Sequence, residues 1–282
     1  MNYFDLHCDT PFECFKQNQL FSKNNLAVSG EKGSVFEKWN QCFAVWIKDD
    51  APNPFYLYKS ILSDFKDKIA QIPDNLTPIL TVEGGAVLEE NIERLEILKA
   101  DGIKAITLTW NGQNLLAGGA YSDASLTEYG AEVIKEMNRL NIACDLSHLN
   151  DKSFFAALDI ADHPLATHSC CRSIVDHKRN LTDEQLKALK QRNGIVGLCF
   201  YPDFVGEDVF EGVYRNICHL LELEMENNIA IGSDFDGAKM SSQLDNISKI
   251  CSLREFLQRK GLQNRILDNI FYNNAEKNFV CL

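Results

Sequence analysis

Eight short apolar runs, at residues 3–6, 41–47, 77–83, 103–109, 142–147, 164–169, 194–200 and 229–234, recur along a chain of 282 residues. Most are separated by stretches with helical spacing. In 55–72, Leu57, Ile61, Phe65 and Ile69 return every four residues, the repeat of one helix face. In 87–98, Leu88, Ile92, Leu95 and Leu98 fall on one side. Helices are also predicted over 125–140, 151–161, 181–192 and 209–225, with two more at 248–260 and 264–278. Thr182 followed three residues on by Gln185 is a capping-box start for the stretch 181–192. Strict alternation of strand and helix predicts parallel strands joined by helical crossovers. Eight such units in a chain of this length predict an α/β protein, a (β/α)8 TIM barrel in a single domain over residues 1–282. An open doubly wound sheet is the weaker fit, because no GxGxxG follows any run. The polar, Lys/Asn/Ser-rich segment 16–38 reads as a long loop.

The polar residues of these runs are not scattered. His7 and Asp9 stand where the first run ends, Glu83 where the third ends, and His148 just past the fifth. His168 closes the sixth and Asp234 the eighth. On an extended chain residues i and i+2 share a face, so His7 and Asp9 point one way and Cys8 the other. In a parallel barrel every strand opens on the same face, so these six side chains converge on one mouth. Buried together without a counter-charge, such groups are costly to desolvate, and a metal removes that cost. A catalytic zinc takes three protein ligands and a water, whereas three histidines and two carboxylates suit two metals sharing a carboxylate. Glu83, followed by Gly84 and Gly85, is the candidate bridge. Asp234 is then free to handle a proton, with Asp236 as the alternative.

The remaining histidines lack this placement. His163 precedes its run and belongs at the opposite face, His219 falls in a helix, and His177 reads as an exposed loop residue. Cys8 and Cys170, each beside a candidate ligand histidine, offer a competing nucleophile or thiolate. No GxxxxGK[ST], GxSxG or HExxH occurs.

With 28 basic against 40 acidic residues, the net charge of −12 argues against nucleic acid or an anionic membrane as partner. No apolar run reaches the length of a membrane span. The ten cysteines include no CxxC pair, and the first run begins at once, without a signal-peptide pattern. Reduced thiols and a cytoplasmic location are therefore expected.

At these residues the chain resembles the membrane dipeptidase (renal dipeptidase-like) family of metallopeptidases, among the amidohydrolase-type barrels. The stretches that carry the resemblance are DLHCDTP (5–11), TVEGG (81–85), TLTWN (107–111) and DLSHLN (145–150). ATHSCCRSI (166–174), HKRNLTD (177–183), IGSDFDG (231–237) and the closing segment 261–279 complete the series in order. The resemblance implies His7 and Asp9 on one zinc, His148 and His168 on the other, and Glu83 between them. It implies Asp234 as the catalytic aspartate and Arg179 as the grip on a dipeptide's terminal carboxylate, a task suited to a planar two-pronged guanidinium. It also implies a homodimer. Trp110 departs from the family's mammalian members, which carry a substrate-contacting histidine there. An indole donates one hydrogen bond but carries no charge. The function so implied is hydrolysis of L,L and L,D dipeptides with two divalent metal ions, Zn2+ foremost. The alternatives are a related metallohydrolase acting on an N-acyl amino acid, lactone or cyclic amide, and a non-catalytic binding protein.

Overall fold

Strand pairing decides the architecture. The computed structural model of the protein describes residues 1–69 and 73–279. Its strands are β1 (Asn2–Asp5), β2 (Lys38–Trp46), β3 (Leu76–Glu83), β4 (Ile103–Thr107), β5 (Ala143–Asp145), β6 (Pro164–Ala166), β7 (Ile195–Leu198) and β8 (Ile229–Ile231). Each pairs in parallel with the next, and β1 pairs with β8, so the sheet closes into an eight-stranded barrel as the alternation predicts. The interior is filled by Phe4, Leu6, Cys42, Ala105, Ala143, Leu165, Ile195 and Ala230, and Tyr272 and Ala275 pack with them from the C-terminal helical segment. Outer strand faces and the surrounding helices share a second, larger core.

Several elements differ from expectation for local reasons. The helix predicted over 55–72 runs Pro54–Lys68, and residues 70–72 lie outside the described residues. The helix predicted over 87–98 is instead a short turn, Gly85–Leu88, and a later helix, Arg94–Asp101. Glu89 takes φ 50°, which no helix tolerates, so the apolar period there is cut in two. A helix at Thr10–Gln17, with Pro11 in its first turn, is not announced by any apolar period. The polar segment 16–38 is anchored by buried Phe21 and Val28, and Phe21 packs on Trp39, Phe43 and Phe65. The predicted capping box is present, with Thr182 accepting from the Gln185 N–H at 3.2 Å and donating its own N–H to Gln185 at 2.8 Å.

The strands stop earlier than the apolar runs suggest, because the rim backbone bends. His148, Asp234 and Asp236 sit at φ 71°, 63° and 68°, sparsely populated values for non-glycine residues. The single backbone register pair of β1 with β8, Asp5 with Ile231, is reinforced by Asp5 accepting from the Ser233 N–H at 2.8 Å and hydroxyl at 2.6 Å. Nearby, Gly197 and Gly232 both press on the Thr167 carbonyl oxygen, where added Cβ atoms would lie at 2.0 and 1.6 Å. Gly232→Ala should therefore destabilise the barrel by about 3 kcal/mol through overpacking, read as a lower denaturant midpoint with an unchanged slope.

Candidate active site

The rim brings the six predicted side chains together. Glu83 is the last residue of β3, and Gly84 at φ 108° turns the chain away, passing where a Cβ would lie 2.0 Å from the Ile47 carbonyl oxygen. Glu83 Oε2 faces His7 Nε2 at 3.6 Å, while its Oε1 lies 2.6 Å from His148 Nε2 and 3.5 Å from His168 Nε2. Asp9 Oδ2 lies 3.2 Å from His7 Nε2. Three groups of potential ligand atoms, each mutually within 4.8 Å, result: His7 with Asp9 and Glu83; Glu83 with His148 and His168; and His7 with His168 and Asp234. Parity along β1 alone would not place His7 here, since Phe4 and Leu6 already point inward; a bend at Leu6 resets it.

Hydrogen bonds fix what two of the rings offer. His148 Nδ1 lies 2.9 Å from Asn111 Oδ1, an acceptor, so it carries the proton. His168 Nδ1 lies 2.9 Å from Thr167 Oγ1, whose own proton goes to Asp145 Oδ2 at 2.6 Å. Nδ1 of His168 is then also the protonated nitrogen. Both Nε2 atoms therefore present lone pairs, yet they stand 2.7 Å apart. Burial, with Arg179 nearby, pushes His148 down to about 4, and burial with the other histidines holds His168 well below its ordinary value. Two neutral imidazoles facing lone pair to lone pair repel, and a cation between them turns repulsion into attraction.

The carboxylates are crowded in the same sense. Burial and the Glu83 charge hold Asp9 well above the carboxylate range, and its Oδ1 is buried without a hydrogen-bond partner among the described residues. Burial opposes charge on His7, but Asp9 and Glu83 outweigh it and hold the imidazole well above its usual value. Burial pushes Asp234 up to about 6 against the pull of His7. Buried acids, an orphaned carboxylate oxygen and convergent imidazoles are a donor set that fits divalent metal.

Above these groups lies a cavity of about 470 Å³ whose wall includes Asp9, Glu83, His148, Arg179, Asp234 and Trp110. Arg179 is only 3% exposed, its Nε has no hydrogen-bond partner among the described residues, and its head lies 5.3 Å from the Phe204 ring. Phe12, Trp46 and Trp110 form an edge-to-face series, with centroids 4.8 and 5.3 Å apart. The competing thiols are otherwise engaged. Cys8 donates to the Cys42 carbonyl and Cys170 to the Cys199 carbonyl, and burial pushes the former well up and the latter to about 12.

Residues 57–279 match the model of the membrane dipeptidase family, peptidase family M19. The chain belongs to that family. An uncharacterized protein of Klebsiella pneumoniae is 29% identical over 215 residues, which is 71% of this chain and 79% of that protein. An uncharacterized dipeptidase of Schizosaccharomyces pombe is 33% identical over 208 residues, 67% of this chain and 50% of its own. The chain spans about half the length of the dipeptidase relatives it matches. A metallopeptidase from Rhodobacter sphaeroides, solved with a phosphinate mimic of the dipeptide L-Ala-D-Ala, has the same fold, with TM-score 0.87 at 20% identity over 99% of both chains.

Within this dipeptidase-family barrel, His163 lies against the N-terminal strand ends beside Pro164 and Asn228, and His219 pairs with Asp183 at 2.8 Å. His177 is not merely exposed: it accepts the Arg179 N–H at 3.1 Å. Asn111, Thr167 and Asp145, which orient the imidazoles, escaped the sequence reading, because they act through hydrogen bonds that apolar spacing does not announce. Because the donors are preassembled, metal removal should lower stability without unfolding the barrel. Chelated protein should melt lower, and metal returned at a hundred times Kd should restore about 2.7 kcal/mol.

Proposed function

We propose that the chain is a dinuclear zinc dipeptidase. His7 and Asp9 would hold one cation and His148 and His168 the other, with Glu83 between the two pairs. The observation that carries this reading is the splay of Glu83, whose two oxygens face different histidine sets. Cations held there would supply Lewis acidity for the scissile carbonyl and the attacking water. Asp234, within 4.8 Å of both His7 and His168, takes the proton of the attacking water and delivers it to the leaving amine. Arg179, buried beside the cavity with an unpartnered Nε, receives the substrate's terminal carboxylate. Trp110 meets the substrate with an apolar face and at most one neutral hydrogen bond.

A carboxylate grip this close to the reacting centre restricts substrates to dipeptides. The L-Ala-D-Ala mimic held by the Rhodobacter sphaeroides metallopeptidase supports including L,D as well as L,L forms. Nine described cysteines are free, which accords with a reducing, cytoplasmic location. Among the described residues no helix is long and apolar enough to cross a membrane. We place the protein in the homodimeric mould of its family, without nucleic acid as partner.

Elemental analysis of purified protein should return two zinc ions per chain. A dipeptide panel should be hydrolysed by the loaded protein and not after chelation. Zinc-loaded protein that cleaves an N-acyl amino acid or lactone but no dipeptide would overturn the peptidase assignment. Asp234→Asn should lower kcat by about 10² to 10⁴ with zinc still bound. Asn111→Ala, which frees the His148 tautomer, should weaken metal binding by about 10- to 100-fold in a competition titration.

A further inference from the structure

Arg179 has little to hold its head in place. Among the described residues its one side-chain hydrogen bond is a 3.4 Å contact from NH2 to the His168 carbonyl, and its Nε has no partner. The place of the guanidinium therefore depends on where the backbone at residue 179 sits, and His177 is where three rim loops meet. Its Nδ1 accepts the Arg179 N–H at 3.1 Å. Its Nε2 lies 3.3 Å from the hydroxyl of Tyr121, in the loop that follows β4. Its ring packs on Phe204 of the segment after β7, with centroids 4.7 Å apart, and the Arg179 guanidinium rests on that same ring. Because Nδ1 accepts a backbone N–H, the ring proton resides on Nε2 and is donated to Tyr121.

We propose that His177 is a positioning residue for substrate selection: it fixes the backbone of Arg179, and with it the guanidinium, at the height that receives a terminal carboxylate. The inference rests on the dipeptidase reading above. His177 touches neither substrate nor metal; it acts through Arg179. The hydrogen bond and the ring contact make separable contributions. His177→Phe keeps a ring against Phe204 but has no acceptor, whereas His177→Asn has an acceptor oxygen at about the reach of Nδ1 but no ring.

The test compares a dipeptide with the corresponding dipeptide amide, which lacks the carboxylate, on zinc-loaded full-length protein. With His177→Phe, KM for the dipeptide should rise about tenfold while kcat changes far less, the equivalent of one lost hydrogen bond. KM for the amide should stay within about twofold, and His177→Asn should recover most of the dipeptide KM. Equal losses on dipeptide and amide, or rescue by Phe and not by Asn, would overturn the proposal in favour of a packing role. If His177→Phe does not fold, the Asn variant still decides: a dipeptide KM raised as far as in Arg179→Ala would overturn it. Wild-type protein that cleaves neither substrate sinks the dipeptidase reading and this inference with it. Wild-type protein that cleaves both with equal KM removes the carboxylate grip and overturns this inference, while the dipeptidase reading stands.

Discussion

Two buried carboxylates set the geometry of the rim. Asp5 accepts from the Tyr3 hydroxyl, the His7 N–H, and the N–H and hydroxyl of Ser233, so it ties β1 to β8 at the barrel seam. Asp145 accepts from the N–H groups of Ser147 and Thr167 and from the hydroxyls of Thr107 and Thr167, joining β4, β5 and β6. A buried charge without partners is costly, and four donors each make these two sustainable. In exchange, the backbone N–H groups that would have extended the strands are claimed by side chains. The strands end there, and the chain is free to bend. His7 follows one of these carboxylates by two residues and His148 the other by three.

From that rim the site follows by relay. Asp145 takes the Thr167 proton, Thr167 is left to accept from His168, and the His168 lone pair is aimed at the mouth. Asn111 does the same for His148 from the loop after β4. The fold thus spends stability on holding lone pairs and carboxylates against one another, a local conflict of the kind expected at functional sites. The left-handed backbone at His148 and Asp234 belongs to the same account, since strained non-glycine residues persist only where surrounding bonds over-determine them.

Much of this was legible in the residue string. Eightfold alternation gives the barrel, and the fall of His7, Asp9, Glu83, His148, His168 and Asp234 at run ends gives the cluster, because strand direction in a barrel converts sequence position into location. The rest depended on contacts that periodicity does not encode. Apolar spacing over 87–98 carries no information about the left-handed turn at Glu89. The polar composition of 16–38 conceals two anchors, Phe21 and Val28, whose weight lies in what they touch. Asn111 reaches His148 through a hydrogen bond across loops, and His177 touches Tyr121 and Phe204 from a third loop, pairings that no spacing rule joins. One signal was available and unread: DLHCD and DLSHL both open on Asp-Leu, and in both the Asp is the rim-setting carboxylate.

Hydrogen-bond satisfaction separates the aspartates of the rim by role. Asp5 and Asp145 each have four donors, and Asp236 accepts from the Thr10 hydroxyl at 2.7 Å and from the Ala27 and Val28 N–H groups at 2.6 and 3.4 Å. Asp236 thereby pins the segment after the Thr10–Gln17 helix against the mouth, and its oxygens are committed. Asp9 and Asp234 are not. Asp9 Oδ1 is orphaned, and among the described residues Asp234 accepts from the Cys199 thiol at 3.7 Å, a weak donor. Gly237 lets the backbone pass beside both, since a Cβ there would lie 2.1 Å from Asp9 Oδ2 and 2.4 Å from Asp234 Oδ1. A carboxylate that moves a proton must keep an oxygen uncommitted, and Asp234 meets that requirement where Asp236 does not. Between the two aspartates of the sequence Asp234-Phe235-Asp236, the choice of Asp234 as the proton carrier therefore rests on which one the fold has left unsatisfied.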